Sequence, residues 1–566
     1  MKPAKLLDGN EEKPQINISV RNLVEFLLRS GDIQAGQGMR DAMEAMQQGG
    51  RIHRKLQRRE GSSYHAEFPL KFQVTYEEYD LGIEGRADGI LFDEEQEVPE
   101  VTVDEIKGMY LDVMEMEGPL EVHLAQAKCY AYMFGAKRDL DHISVRMTYC
   151  NLDTEEVRRF EETYDFEELE RWFYGLISRY KPWADFQYAW SQVSRESIQE
   201  LTFPFAYREG QKRLAQDVYR SILREKILFI QAPTGTGKTI ATIFPAVKAV
   251  GEGLSDRIFY LTAKTAAASV AKDTFALLAK QGYRAKTVAI TAKDKICPLE
   301  ERKCNPIHCP YARGHYDRIN GALYDLLQKE DLFTREVLLQ WAQEYQVCPF
   351  ELSLDVSSWS DNIICDYNYV FDPNVYLKRF FAEGRKENHL FLVDEAHNLV
   401  ERAREMYSQT LVKEEFLEMK KLLKAVSKRA EKNLERCNRV MLAWKRGCEK
   451  MLLLSDADEL VFAVMNACTE ISELLQKNRI KEGRDQVMEF YFKLRNFLRI
   501  SEEMDEHYRI YCDYDEENRF CLHLFCVDPS RLLQERLNRG RSTIFFSATL
   551  LPVSYYKELL CQEKEV

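Results

Sequence analysis

The 566-residue sequence has no run approaching the roughly 18 consecutive apolar residues that a membrane-spanning helix needs. No membrane partner is therefore expected. Its first ten residues hold no long apolar stretch of the kind that a secretory signal carries, so a cytoplasmic location is expected. Internal repeats and low-complexity segments are missing, and no Cys-x-x-Cys pair occurs. An excess of positive charge is also lacking. The formal net charge is −13, so contact with nucleic acid has to come from local basic patches and not from a global field. What remains is a length suited to about three or four domains and a hydrophobic content of 45% that supports sizeable cores. In a reducing compartment the fourteen cysteines read as metal ligands or buried thiols before disulfides.

The most informative stretch runs from Phe229 to Thr239. The apolar residues 227–230 predict a strand, and the pattern from Ile240 onward predicts a helix. Between them, residues 232–239 meet the Walker A pattern with Ala232 in place of the first glycine, then Thr234, Gly235, Thr236, Gly237, Lys238 and Thr239. Glycines at 235 and 237 let backbone N–H groups turn toward an anion, and the following helix adds its dipole. In that pattern Lys238 reaches the β- and γ-phosphates of ATP and Thr239 ligates Mg²⁺. A second hydrophobic run, from His389, ends in Asp394-Glu395-Ala396-His397. Asp394 is placed for a second Mg²⁺ contact, and Glu395 to polarise a water for attack on the γ-phosphate.

Upstream, strand-like runs cover 67–76, 79–92 and 101–109. Alternation puts Glu105 and Lys107 on one face of the third run, with Asp88 at the end of the second run beside them. Two carboxylates and a lysine around one point can hold a hard divalent cation and stabilise charge on a phosphorus centre. His123, Gln126 and Tyr130 follow at i, i+3 and i+7 of a predicted helix. Residues 17–28 read as an amphipathic helix capped by Ser19, residues 39–57 as a helix and 140–150 as a strand. Residues 155–180 read as a charged helix, with a linker starting at Lys181-Pro182-Trp183-Ala184.

This N-terminal segment resembles the PD-(D/E)XK nucleases of the RecB-like branch. His53 in Gly-x-x-His, Asp88, Glu105-x-Lys107 and Gln126-x-x-x-Tyr130 occur in the family's order. The resemblance implies Mg²⁺ or Mn²⁺ held by His53, Asp88 and Glu105, with Lys107 assisting the attacking water. Relatives that bracket this domain with cluster-binding cysteines are not matched, since only Cys129 and Cys150 are present.

The remainder resembles the superfamily 2 helicases of the XPD/DinG type. Asp394-Glu395-Ala396-His397 looks like motif II, Thr262 to Thr265 like motif Ia, and Ser547-Ala548-Thr549 like motif III. Gln211, about twenty residues before the phosphate loop, implies an adenine contact, with Arg208 as its companion. Cys297, Cys304, Cys309 and Cys348 follow motif Ia at irregular spacing. Such spacing suits a [4Fe–4S] cluster ahead of zinc, which favours two short knuckles, and ahead of ordinary buried thiols. Cys365 sits in an apolar run and reads as structural.

The resulting expectation is an α/β protein. A nuclease-like domain over 1–190 precedes a RecA-like parallel-sheet motor domain over 196–290, 360–400 and 540–566. A cluster insert over 291–359 and a helical arch over 401–539 interrupt the motor. Basic pairs in the arch, Lys420-Lys421 and Lys445-Arg446, read as solvated faces. A second motor domain, with motifs IV to VI and an arginine finger, does not follow Thr549, and a fragment of a longer protein is expected. The resemblance implies an ATP-dependent 5′→3′ DNA helicase fused to a metal-dependent DNA nuclease, acting in repair or recombination. Its partners would be single-stranded DNA and junctions with single-stranded tails. Rival readings are a nucleic-acid-binding regulator with an inert nuclease fold, and a nuclease gated by a non-processive ATPase. Intact Lys238, Asp394 and Glu395 speak against the first.

Overall fold

The computed structural model describes residues 13–33, 50–93, 100–110, 112–138, 140–152, 154–382, 388–477 and 479–562. The chain forms two compact units, one of residues 1–200 with 282–360 and the other of 201–281 with 361–566.

The first unit is built on a six-stranded mixed sheet. Its strands are β1 (Gln15–Ser19), β2 (Tyr64–Thr75), β3 (Asp80–Leu91), β4 (Thr102–Met109), β5 (His142–Asn151) and β6 (Val157–Asp165). They run in the order β1-β3-β4-β5-β6, with β2 antiparallel to β3. The helix after β1 starts at Val20, and Ser19 caps it by accepting from the Asn22 N–H at 3.1 Å. Residues 17–19 belong to β1, and the helix starts directly after its expected cap. Residues 50–57 are helical, while the rest of the helix predicted from 39 lies outside the described residues, as do the first ten residues.

Two expectations fail between 155 and 184. Residues 157–165 form β6, the outer strand beyond β5, and the helix runs from Phe166 to Glu200 without a break at Pro182. Charged residues such as Arg158, Arg159, Glu161 and Glu162 protect an edge strand from pairing with other chains, and the same composition imitates a solvated helix. An interior proline costs a helix one hydrogen bond. Here Tyr180, Trp183 and Ala184 are buried on either side of it, and that packing overrides the local preference.

In the second unit β7 (Ile227–Gln231) leads into the glycine-rich loop and the helix Lys238–Gly251, and β8 (Arg257–Leu261) follows. The chain then re-enters the first unit. There β9 (Thr287–Ala289) and β10 (Leu332–Phe333) pair in parallel, accompanied by helices His315–Lys329, Arg335–Tyr345 and Pro349–Ser357. The segment before residue 34 holds this part of the chain. Arg29 Nη1 lies 2.7 Å from Asp355 Oδ2, the Ile33 N–H donates to the Ala312 carbonyl, and Trp183 packs edge-on to Tyr324.

Back in the second unit are β11 (Asn362–Cys365), β12 (His389–Asp394), β13 (Gln409–Val412), β14 (Leu452–Leu454), β15 (Tyr508–Tyr514), β16 (Phe520–Cys526) and β17 (Ser542–Ser547). Within this unit β11-β8-β12-β17-β7 form a wholly parallel array, the arrangement that near-continuous apolar strands predict. The segment expected to be a purely helical arch also contains a four-stranded antiparallel sheet, β13-β16-β15-β14. Its helices are Lys413–Leu423, Lys428–Gly447, Asp458–Gln476, Arg484–Glu503 and Ser530–Leu537. The basic pairs there are partly neutralised: Lys420 meets Glu435 at 2.7 Å and Lys445 meets Glu414 at 3.2 Å.

Candidate active sites

In the second unit the carboxyl ends of adjacent parallel strands converge. Ser547 of β17 is in register with Gln231 of β7, and Asp394 of β12 with Phe546. The loop after β7 is tied to β17 directly, since the Ala232 N–H donates to the Ser547 carbonyl at 3.1 Å. Gly235 and Gly237 both take positive φ, 81° and 75°, which explains glycine at these two positions. At 237 a Cβ would also sit 2.4 Å from Gln211 Nε2. Lys238 Nζ donates to the carbonyls of Ala232 at 2.8 Å and Pro233 at 3.1 Å, and the Thr236 hydroxyl donates to Pro233 at 2.8 Å. Thr234 is exposed at the loop's tip.

Asp394 is held at both oxygens. The Glu395 N–H donates to Oδ1 at 2.8 Å, and the Tyr260 hydroxyl donates to Oδ2. Burial raises its pKa, against the pull of those two donors. Glu395 adopts φ 50°, a left-handed backbone seldom taken by a non-glycine residue and one that clusters at functional sites. The Tyr367 hydroxyl supports this turn by donating to the carbonyls of Asp394 and Glu395. Around the Glu395 carboxylate, Ser547 Oγ lies 3.5 Å from Oε2 and His397 Nδ1 3.4 Å from the same oxygen. Ser547 Oγ in turn lies 2.7 Å from His397 Nδ1 and accepts from the Thr549 N–H at 3.2 Å. The water-polarising candidate is thereby wired to the strand end that carries Ser547 and Thr549.

The two residues expected at the adenine edge, Gln211 and Arg208, also engage the phosphate loop. Gln211 Nε2 donates to the carbonyls of Thr236 at 3.3 Å and Gly237 at 3.4 Å, its Oε1 accepts from the Arg208 N–H, and Arg208 Nη1 donates to the Gly235 carbonyl. Carbonyls exposed by two left-handed glycines need donors, and these side chains supply them.

In the first unit, antiparallel register pairs Gly89 with Asp104, which brings Asp88 beside the Glu105–Lys107 stretch of β4. Asp88 Oδ2 accepts from the Ile106 N–H at 2.7 Å, and His53 Nδ1 lies 3.4 Å from Asp88 Oδ1. Lys107 Nζ donates to Glu105 Oε1 at 2.9 Å and to Gln126 Oε1 at 3.0 Å. Gln126 Nε2 donates to the Tyr130 hydroxyl at 3.4 Å. A Cβ on Gly85 would lie 2.7 Å from the Tyr130 ring, so glycine there admits the tyrosine. Burial pushes the Glu105 carboxyl up to about 7, with Lys107 opposing and Asp88 reinforcing the shift. Burial lowers the pKa of His53, but hydrogen bonding to Asp88 and the charges of Asp88 and Glu105 outweigh it and leave the value raised.

The buried Oε2 of Glu105 has no hydrogen-bond partner, an orphan that a cation would satisfy. Two carboxylates and an imidazole suit Mg²⁺ or Mn²⁺. His123, on the same helix as Gln126, lies 3.3 Å from the Tyr149 hydroxyl, and Tyr149 is the register partner of Lys107. Burial, then the charges of Lys107 and Arg21, hold His123 down to about 4, so it is neutral. Tyr149, Tyr260 and Tyr367 were not legible as site residues: Tyr260 lies in an apolar strand, Tyr149 in a predicted strand, and Tyr367 between Asp366 and Asn368 just after one.

None of the four insert cysteines is in a disulfide. Cys309 packs with Ile33, Ala312 and the partly buried Cys348. Lys293 interacts with both Cys304 and Cys348, and Cys297 ends the short helix Lys293–Ile296. The Cys348 N–H donates to His315 Nδ1 at 3.2 Å, and burial pushes the Cys348 thiol up to about 11. A lysine beside thiols complements the negative charge that thiolate ligands carry. Cys365 lies in the core strand β11.

Among the described residues, one group of three Asp, Cys or His donor atoms lies within 4.8 Å of one another, that of Asp513, Cys521 and His523. His523 spends Nε2 on Asp513 at 2.7 Å and Nδ1 on the Thr410 hydroxyl at 2.8 Å, which accounts for the grouping. The donors of His53, Asp88 and Glu105 are more widely spread than that.

Residues 211–319 match the DEAD/DEAH box helicase family, and residues 281–416 match the DEAD_2 family. The Regulator of telomere elongation helicase 1 homolog of Caenorhabditis elegans is 22% identical over 242 residues. That match spans 35% of this chain and about a quarter, 24%, of the relative's length. Among solved structures, one titled XPD_Helicase aligns with a TM-score of 0.38 at 16% identity, over 63% of this chain and 60% of that one. Another, titled Truncated XPD, aligns with a TM-score of 0.39 at 15% identity, over 62% of this chain and 97% of that one. No helix among the described residues is long and apolar enough to cross a membrane.

Proposed function

We propose that the chain carries an ATP-dependent 5′→3′ DNA helicase motor of the XPD type joined to a Mg²⁺- or Mn²⁺-dependent DNA nuclease. The observation that carries the motor reading is the meeting of Lys238, Thr239, Asp394, Glu395 and Ser547 at the carboxyl edge of one parallel array. Bound Mg²⁺ would supply charge neutralisation at the ATP phosphates, with Thr239 and Asp394 as its protein contacts. Lys238 exchanges the loop carbonyls of Ala232 and Pro233 for phosphate oxygens. The loop N–H groups of 235–239 orient those oxygens. Glu395 accepts a proton from the attacking water, and the Ser547–His397 pair senses that change and passes it to the strand-binding side.

The nuclease reading rests on the orphaned Glu105 Oε2 inside the ring of His53, Asp88, Lys107 and Gln126. A divalent cation held by His53, Asp88 and Glu105 would supply Lewis acidity at the scissile phosphate. Lys107, steered by Gln126, orients the attacking water and screens charge that develops on phosphorus. Cys297, Cys304, Cys309 and Cys348 would hold a [4Fe–4S] cluster. Single-stranded DNA and junctions with single-stranded tails are the proposed substrates, and repair or recombination the proposed setting.

The test compares Lys238→Ala with Lys107→Ala. The first should abolish nucleotide binding and leave Mn²⁺-dependent cutting of single-stranded DNA. The second should do the reverse. Loss of cutting in both variants would favour a nuclease gated by the ATPase. Cutting by neither the wild type nor any variant would leave the nuclease fold as a binding module only.

A further inference from the structure

We propose that Tyr260 is a positioning residue of the nucleotide-associated Mg²⁺ site, acting through its hydrogen bond to Asp394. The inference rests on the motor reading above and adds a residue to it. Tyr260 lies on β8, and Leu392 of β12 is its register partner, two residues before Asp394. The side chain is completely buried. Its hydroxyl donates to Oδ2 of Asp394, the cation contact assigned to the end of β12.

A carboxylate can only accept, so the Tyr260 proton points to Asp394. Asp394 has its second oxygen fixed by the Glu395 N–H at 2.8 Å, so the carboxylate cannot rotate freely. A buried tyrosine in a rigid parallel strand holds this ligand oriented before a cation arrives, and hydrogen-bond partners of metal ligands commonly matter about 10–100-fold in metal affinity.

The test uses the full chain and a fluorescent ADP analogue, titrated with Mg²⁺ at fixed nucleotide. Tyr260→Phe should raise the Mg²⁺ concentration for half-saturation by about tenfold or more. Affinity for the nucleotide in excess chelator should change less than about twofold. The increase in thermal unfolding temperature on adding Mg²⁺ and ADP reads the same linkage in a variant of lower stability, and it should shrink. An unchanged Mg²⁺ midpoint, or an equal loss of Mg²⁺-free and Mg²⁺-dependent binding, would overturn the positioning role. Absence of any nucleotide binding by the wild type would overturn the motor reading, and this proposal with it.

Discussion

Lys107 Nζ lies 2.9 Å from Glu105 Oε1, two residues away on the same face of β4, while Asp104 between the strands' two faces turns the other way. The adjacent carboxylates thus enter different environments. Asp104 accepts from Arg146 Nη2 at 2.9 Å, Thr148 Oγ1 at 2.6 Å and the Tyr64 hydroxyl at 3.1 Å, whereas Glu105 keeps one oxygen unpartnered.

Asp104→Asn should therefore destabilise the first unit without touching the cation site directly. Removing one partner of a buried ion pair costs about 3–5 kcal/mol because the other charge stays buried. Urea unfolding should show a loss on that scale. A loss below about 1 kcal/mol would mean that Arg146 is satisfied by Glu60 alone, which it meets at 3.2 Å.

Glu105 should give the metal-free protein a distinctive pH dependence. Its folded pKa, about 7, lies above the ordinary 4.5. The folded form binds more protons between those values, so this contribution is fully present below about 4.5 and lost as pH rises through about 7. The stability difference between wild type and Glu105→Gln should shift against the wild type as pH rises over that window. Added Mn²⁺ should reverse the trend, since a cation replaces the proton. A pH-independent difference between the two proteins would refute the assignment.

Gln211→Ala should weaken nucleotide binding by about tenfold, from the loss of two hydrogen bonds to the phosphate loop worth about 0.5–1.5 kcal/mol each. Guanine nucleotides should be affected as much as adenine nucleotides, because the side chain holds the loop. A loss confined to adenine nucleotides would instead support the base-reading role expected from sequence.

Cys304→Ser and Cys348→Ser should each abolish iron content and the broad visible absorbance of anaerobically purified protein, while Cys365→Ser should leave both intact. Stoichiometric zinc without iron in the wild type would overturn the cluster. Cys309 packs on Ile33, so Cys309→Ser should also increase proteolysis near residues 29–33 of the first unit.

The sequence alone determined those features that depend on local order. A strand, two left-handed glycines, Lys238-Thr239 and a helix are consecutive, so the phosphate loop was legible. So were β3, β4 and the helix bearing Gln126 and Tyr130, because alternation and helical spacing are short-range properties. Tertiary structure decided the rest. Charged β6 became a strand only because β5 offers it an edge, and Pro182 stays helical only because Tyr180, Trp183 and Ala184 pack around it. The sheet within the arch pairs β13 with β16 across more than a hundred residues, beyond any local pattern. Tyr260 carries no polar signal in its apolar run. Its role emerges where parallel pairing of β8 and β12 sets its hydroxyl against Asp394, because a buried phenol must find partners and the fold alone determines which are within reach.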